Sequence, residues 1–172
     1  TMAVLQRKYN MVKAEPGYQK LMATSSIIGV WDDHDYGKND GGKEYEMKQE
    51  SAQLFWNFIG EPVNSPRRKQ EGVYSAYTYG PKGKRVKVIL LDSRYHRDSL
   101  ARINKVYQVN HTGDILGEVQ WRWLERELKN SDADINIIGN GIQVLPEEQV
   151  YEKWANFPKA RKRLLDLIAA SN

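Results

Sequence analysis

The sequence predicts an α/β fold. Three short apolar runs, at residues 27–30, 86–91 and 135–138, are rich in β-branched residues and have the length of buried strands. Stretches with apolar residues at helical spacing alternate with them. The strand ends run into polar, glycine-bearing segments, where folds of this class tend to place functional groups.

Taken in order, residues 27–30 read as a strand that ends at Trp31, followed by a long turn-rich loop over 32–42 with Gly37, Gly41 and Gly42. Residues 43–58 predict a helix with Met47, Leu54, Phe55 and Phe58 on one face, closed by Gly60, Pro62 and Pro66. Residues 73–79 and 86–91 predict a β-hairpin through the turn Pro81-Lys82-Gly83, with 92–97 just past its second strand. Residues 99–112 read as a surface excursion. Residues 118–129 predict an amphipathic helix, Trp121, Leu124 and Leu128 inward, with Glu118–Arg122 and Glu125–Lys129 pairs. A buried strand at 135–138 then enters Gly139-Asn140-Gly141, a backbone that passes close to something. Asn156 is expected to cap a last helix with Pro158 in its first turn and Leu164, Leu165, Leu167 and Ile168 as its apolar face.

The 172 residues suit a single domain, and no apolar run approaches the roughly 20 residues needed to span a bilayer. With no cysteine, disulfides and thiolate metal sites are excluded, so any metal must be held by oxygen or imidazole. The net charge of +4 and basic clusters at 67–69, 82–87 and 161–163 read as a solvated surface, since acids dilute each cluster and no nucleic-acid signature accompanies them.

The chemistry concentrates at residues 31–40, Trp-Asp-Asp-His-Asp-Tyr-Gly-Lys-Asn-Asp. Carboxylates such as Asp32 and Asp33 hold hard cations through oxygen, and the adjacent His34 can ligate or donate a proton. Packing acids so densely is unfavourable unless cations compensate. Phosphoester hydrolysis uses this mixture: cations polarise phosphoryl oxygens and an imidazole serves the leaving oxygen. Arg94, past the second strand of the hairpin, could fork onto a phosphate; Arg97 reads as a loop-pinning residue. Asn140 and Gln143 carry amide oxygens able to meet a hard ion or a substrate, or to satisfy buried backbone groups. His96 and His111 read as packing or surface residues.

Residues 31–42 resemble the Trp-Asp-Asp-His-Asp/Glu segment of the PhoD-like alkaline phosphatases, within the calcineurin-like metallophosphatase superfamily. The likeness continues through Leu91-Asp92-Ser93-Arg94-Tyr95-His96-Arg97-Asp98, through Leu116-Gly117-Glu118 with Gln120-Trp121 and Trp123-Leu124, through residues 138–144, and through Glu152-Lys153-Trp154-Ala155-Asn156-Phe157-Pro158. It spans residues 21–168.

The resemblance implies a metallophosphatase-type sandwich of two mixed β-sheets flanked by helices, and hydrolysis of small phosphomonoesters or phosphodiesters at alkaline pH. It implies two or more divalent or trivalent metal ions, drawn from calcium, iron, manganese and zinc. Asp33 stands where superfamily members carry a metal-binding asparagine, a change typical of the PhoD-like branch, and His34 stands at their catalytic histidine. Asn140 lies near the position of a metal-binding histidine, and Arg94 and Gln143 would face substrate. A secreted, periplasmic or endomembrane-lumen location is also implied. Two superfamily motifs, an earlier Gly-Asp and a later Ser-Gly-Asp-x-His, have no counterpart here. Residues 1–172 are therefore expected to be one partial domain that supplies part of the site and is inactive in isolation. The rival expectations are a non-catalytic relative of the same fold and a basic module for nucleic acid.

Overall fold

The computed structural model describes residues 1–171. Its helices are α1 (Met2–Ala14), α2 (Pro16–Thr24), α3 (Asp33–Tyr36), α4 (Lys48–Ile59), α5 (Gly117–Lys129) and α6 (Pro158–Ala170). The strands are β1 (Ser75–Tyr79), β2 (Val86–Leu91), β3 (Arg102–Ile103), β4 (Val106–Tyr107) and β5 (Ile135–Asn140). No helix among the described residues is long and apolar enough to cross a membrane.

The main sheet is mixed, in the order β1-β2-β5. β1 and β2 form the expected antiparallel hairpin, with Ser75 opposite Leu90 and Tyr79 opposite Val86. β5 lies parallel to β2, Val86 opposite Ile135 and Leu91 opposite Asn140, and α5 makes the crossover that a parallel pair requires. Alternation sets the two faces. Lys87, Ile89 and Leu91 are buried on one side of β2, where α5 and α6 pack, and Val86, Val88 and Leu90 face the other way. On that second face β5 presents Ile135 and Ile137, which are 57% and 49% exposed, so β5 is not the fully buried strand the apolar run predicted.

Two apolar clusters flank the sheet end. One joins Ile89, Leu91, Trp121, Leu124, Leu128, Trp154 and Leu164. The other joins Leu5, Tyr9, Trp31, Tyr36, Phe55, Trp56 and Tyr95 and is built on α1 and α4.

Several expectations need correction. Residues 27–30 join no strand among the described residues; they run as an unpaired lead-in that buries Trp31. Apolar β-branched content signals burial, and pairing requires a partner it does not specify. The loop at 32–42 contains helix α3, ended by Gly37 at φ +105°. Helix α4 begins at Lys48, after turns at 43–47, and it buries Ser51, Ala52, Phe55 and Trp56 while Met47 is exposed. The excursion at 99–112 holds the β3–β4 ribbon. Glu118 pairs with Arg163 of α6 rather than with Arg122, which ties the two helices together. Phe157, not Asn156, stands at the start of α6, and Asn156 instead accepts the Lys153 N–H at 3.0 Å. Ala160 and Leu164 are the buried residues of that helix and Leu167 packs against the core, whereas Leu165 and Ile168 are 36% and 39% exposed.

Candidate functional site

The site begins where β2 ends. Asp92 is fully buried, and its carboxylate accepts four hydrogen bonds: Trp31 Nε1 (2.8 Å) and the N–H groups of Val73 (2.8 Å), Arg94 (2.8 Å) and Tyr95 (3.0 Å). Its own backbone N–H and C=O are met by the side-chain amide of Gln120. This knot joins the two apolar clusters and turns the chain so that Arg94 and Arg97 point back beneath α3.

Arg94 is 1% exposed. Its Nε donates to Asp32 Oδ1 at 2.8 Å, its Nη2 is paired with Asp32 and with Glu152, and its Nη1 approaches the Gly41 carbonyl at 3.4 Å. Burial works against the Arg94 cation, but Glu152 and Asp32 outweigh it and raise its pKa. Arg97, equally buried, donates to the carbonyls of Asp40 and Asp98, and its Nη2 lies 3.3 Å from Glu152 Oε2. Gly141 completes this layer: a Cβ there would stand 2.6 Å from Asp32 Oδ1, so the close backbone passage expected from the glycines is against Asp32.

Above the arginines three carboxylates converge. Asp33, Asp40 and Glu152 each bring one oxygen within 4.8 Å of the other two. They share a cleft of about 240 Å³ with Asp32, Arg94 and Gln143. Asp33 accepts the N–H groups of His34 (2.7 Å) and Asp40 (3.1 Å), which folds the 33–40 segment around its carboxylate. Asp40 has φ +49°, a left-handed conformation that aspartate tolerates better than most residues and that tends to occur at functional sites. Its Oδ2 accepts from Asn39 Nδ2 (2.8 Å) and from the Tyr107 hydroxyl. Burial, with the bond to Asp40 adding to it, pushes Tyr107 up to about 12, so this phenol is a donor at neutral pH. Burial pushes the Glu152 carboxyl above the ordinary glutamate range, and Arg94 and Arg97 pull it back. Glu152 Oε2 is buried and makes no hydrogen bond, its contact being the 3.3 Å ion pair with Arg97.

The sequence-derived candidates sort themselves in this geometry. Asp33 lines the acidic cleft. His34 is not in its lining: the side chain is 74% exposed, with Nε2 3.8 Å from Asp33 Oδ2 and 3.2 Å from Asn39 Oδ1. Asp32, expected as a metal ligand, has its Oδ1 engaged by Arg94 and stands at the N-cap of α3. Arg94, expected to fork onto phosphate, already directs its guanidinium at Asp32, Glu152 and Gly41, so it anchors acids instead. Asn140, the other expected metal ligand, accepts from Ile142 N–H and Trp154 Nε1, both at 3.0 Å, which occupies the two lone pairs of its amide oxygen. Gln143 does line the cleft. Arg97 pins the loop as expected. Reading the sequence missed Asp40 and Glu152 as members of the cluster, although both lie in quoted segments.

A larger groove of about 710 Å³ borders Tyr107, Lys153 and Arg161. Its cations are already engaged, Arg161 with Glu147, Lys162 with Asp166 and Lys153 with the Gln149 and Tyr151 carbonyls, whereas three acids converge in the smaller cleft.

The family model for PhoD-like phosphatases matches residues 1–172. Among solved structures, one described as "Structure of PhoD" superposes with a TM-score of 0.62 at 22% sequence identity, over 83% of this chain and 31% of that one. The chain thus spans less than a third of that relative's length. No curated protein matches it.

Proposed function

Because the chain belongs to the PhoD-like phosphatase family, we propose that it supplies part of a metal-dependent site for hydrolysing phosphomonoesters or phosphodiesters. The observation that carries the reading is the convergence of Asp33, Asp40 and Glu152, whose carboxylate oxygens lie within 4.8 Å of one another in one cleft. Three converging carboxylates repel one another unless cations compensate; Arg94 and Arg97 answer Glu152, but among the described residues neither Asp33 nor Asp40 pairs with a lysine or arginine. The donor set is all oxygen and carries charge, which suits a hard ion such as calcium or manganese. The residues present therefore fit the metal that the family implies.

Asp33, Asp40 and Glu152 would hold the ion, and the chemistry it would supply there is polarisation of a phosphoryl oxygen and activation of a water. Arg94 and Arg97 fix Glu152 from below, and Asp32 carries the Arg94 contact into α3. His34, exposed and next to Asp33, would protonate the leaving oxygen of a substrate bound from the solvent side. Gln143 contacts the substrate at the cleft wall. The apolar outer face made by Val86, Val88, Ile135 and Ile137 supports a sandwich, since a second sheet packed there would cover it.

The test is two-part. Manganese(II) titration of the chain should show saturable binding that Asp33→Asn abolishes; equal affinity in the variant would overturn the metal assignment. In the complete enzyme, His34→Ala should lower turnover of a chromogenic phosphoester by about 10²-fold while leaving manganese affinity unchanged. Unaltered turnover would remove His34 from the chemistry.

A further inference from the structure

Asp40 is held from several directions. Its backbone N–H donates to Asp33 Oδ2, its carbonyl accepts from Arg97, and its Oδ2 accepts from Asn39 and from Tyr107. The contact from Tyr107 crosses 67 residues of sequence and comes from β4, half of the two-stranded β3–β4 ribbon.

That ribbon is itself anchored. Asn156 Nδ2 donates to the Tyr107 carbonyl at 3.2 Å, and the Asn156 carbonyl accepts from Asn110 N–H at 2.7 Å. Arg102, on the opposite strand, lies over the Tyr107 ring at 4.8 Å. Asn156 is four residues beyond Glu152, so one segment supplies a carboxylate to the cluster and also clamps the strand whose hydroxyl reaches another carboxylate. A donor on one oxygen of Asp40 fixes the rotation of the whole carboxylate and leaves its remaining lone pairs free to face an ion, as partners of metal-bound carboxylates commonly do.

We infer that Tyr107 is a positioning residue that orients Asp40 toward a hard cation shared with Asp33 and Glu152, with Asn156 holding the ribbon in place. The inference rests on the metal reading above and goes beyond it by assigning a role to the 99–112 excursion. That segment touches the cluster through a hydroxyl and would contribute no direct ligand.

The experiment is manganese(II) titration of the full chain, with free ion counted by electron paramagnetic resonance. Tyr107→Phe keeps the ring under Arg102 and removes only the hydroxyl. It should bind manganese(II) about 10-fold more weakly than the wild type, the lower end of what loss of such a partner costs, with its melting temperature unchanged. Asn156→Ala should weaken binding as well, and Tyr107→Phe added to it should cause little further loss, because the two act through one contact. Wild-type affinity in a folded Tyr107→Phe overturns the inference. Loss of fold in that variant overturns it too, because the hydroxyl then serves stability. If the wild type binds no manganese(II), the metal reading fails and takes the inference with it. If the wild type binds, Asp33→Asn does not and Tyr107→Phe matches the wild type, only the role of Tyr107 falls.

Discussion

Asp92 and Glu152 are both carboxylates enclosed by protein at the C-terminal end of the same sheet, and they have opposite surroundings. Asp92 accepts four hydrogen bonds from neutral donors and has no oxygen left over. Glu152 pairs with Arg94 through Oε1 and with Arg97 through Oε2, and two further acids, Asp33 and Asp40, converge on it. The first arrangement consumes the charge in fixing the backbone. The second concentrates charge and leaves it available. Burial of an acid is therefore not the mark of function in this molecule; the convergence of like charges is.

This contrast can be broken or sharpened by experiment. The largest effect is expected at the knot. Asp92→Asn keeps the shape but turns an NH2 group toward backbone N–H donors, leaving buried groups unmatched. It should cost about 3 kcal/mol of stability, read as a lower denaturant midpoint. A midpoint equal to wild type would show that the knot is not structural. A smaller effect, of the opposite character, is expected at the cluster. Asp33→Asn should change stability by less than about 1 kcal/mol, since the amide oxygen still accepts one loop N–H and like-charge repulsion falls. A loss as large as that at Asp92 would erase the distinction between the two regions.

The smallest effect concerns pH. Asp98 and Glu44 are both held below their ordinary range. Burial alone would raise both, but Lys43 and the Asp114 N–H overcome it at Asp98, and the Gly42 N–H, the Glu44 N–H and Lys38 overcome it at Glu44. Because the folded values are depressed, this stabilisation is fully present above the unfolded values near pH 4 and is lost as pH falls through the folded values. Asp98→Asn should thus cost about 0.5 kcal/mol at pH 7, as a partly exposed pair does, and progressively less as pH falls through the folded value. A cost that persists in acid would assign Asp98 a packing role instead.

Much of this fold is legible in the sequence, and the exceptions have physical causes. The run Val86–Leu91 has a partner on each side, so its apolar content and its pairing agree. Residues 27–30 are likewise apolar and β-branched but join no strand among the described residues, and composition is silent on neighbours. Helix α5 could be read from Trp121, Leu124 and Leu128 because one apolar stripe decides it. Helix α3, one turn long, is set by Asp32 at its cap and by Gly37, signals that a loop also carries. At the site, Asp33 and His34 were visible because they are adjacent. Asp40 and Glu152 were not, because their membership depends on β2 and β5 bringing residues 112 apart in the chain to one sheet end. Glu152 did stand at the head of the Glu-Lys-Trp segment. Had buried-acid bookkeeping been possible from sequence, Arg94 and Arg97 would have pointed to it.

Gly141 places a lasting restriction on this site. The hydrogen it carries is all that fits between β5 and Asp32. One added methyl group would force the Asp32 carboxylate to shift, and with it the contact that Arg94 makes there. Tolerance to sequence drift here is thus governed by a residue that performs no chemistry, and any natural variant with a larger residue at 141 would need a compensating change at 32 to keep its acids in register.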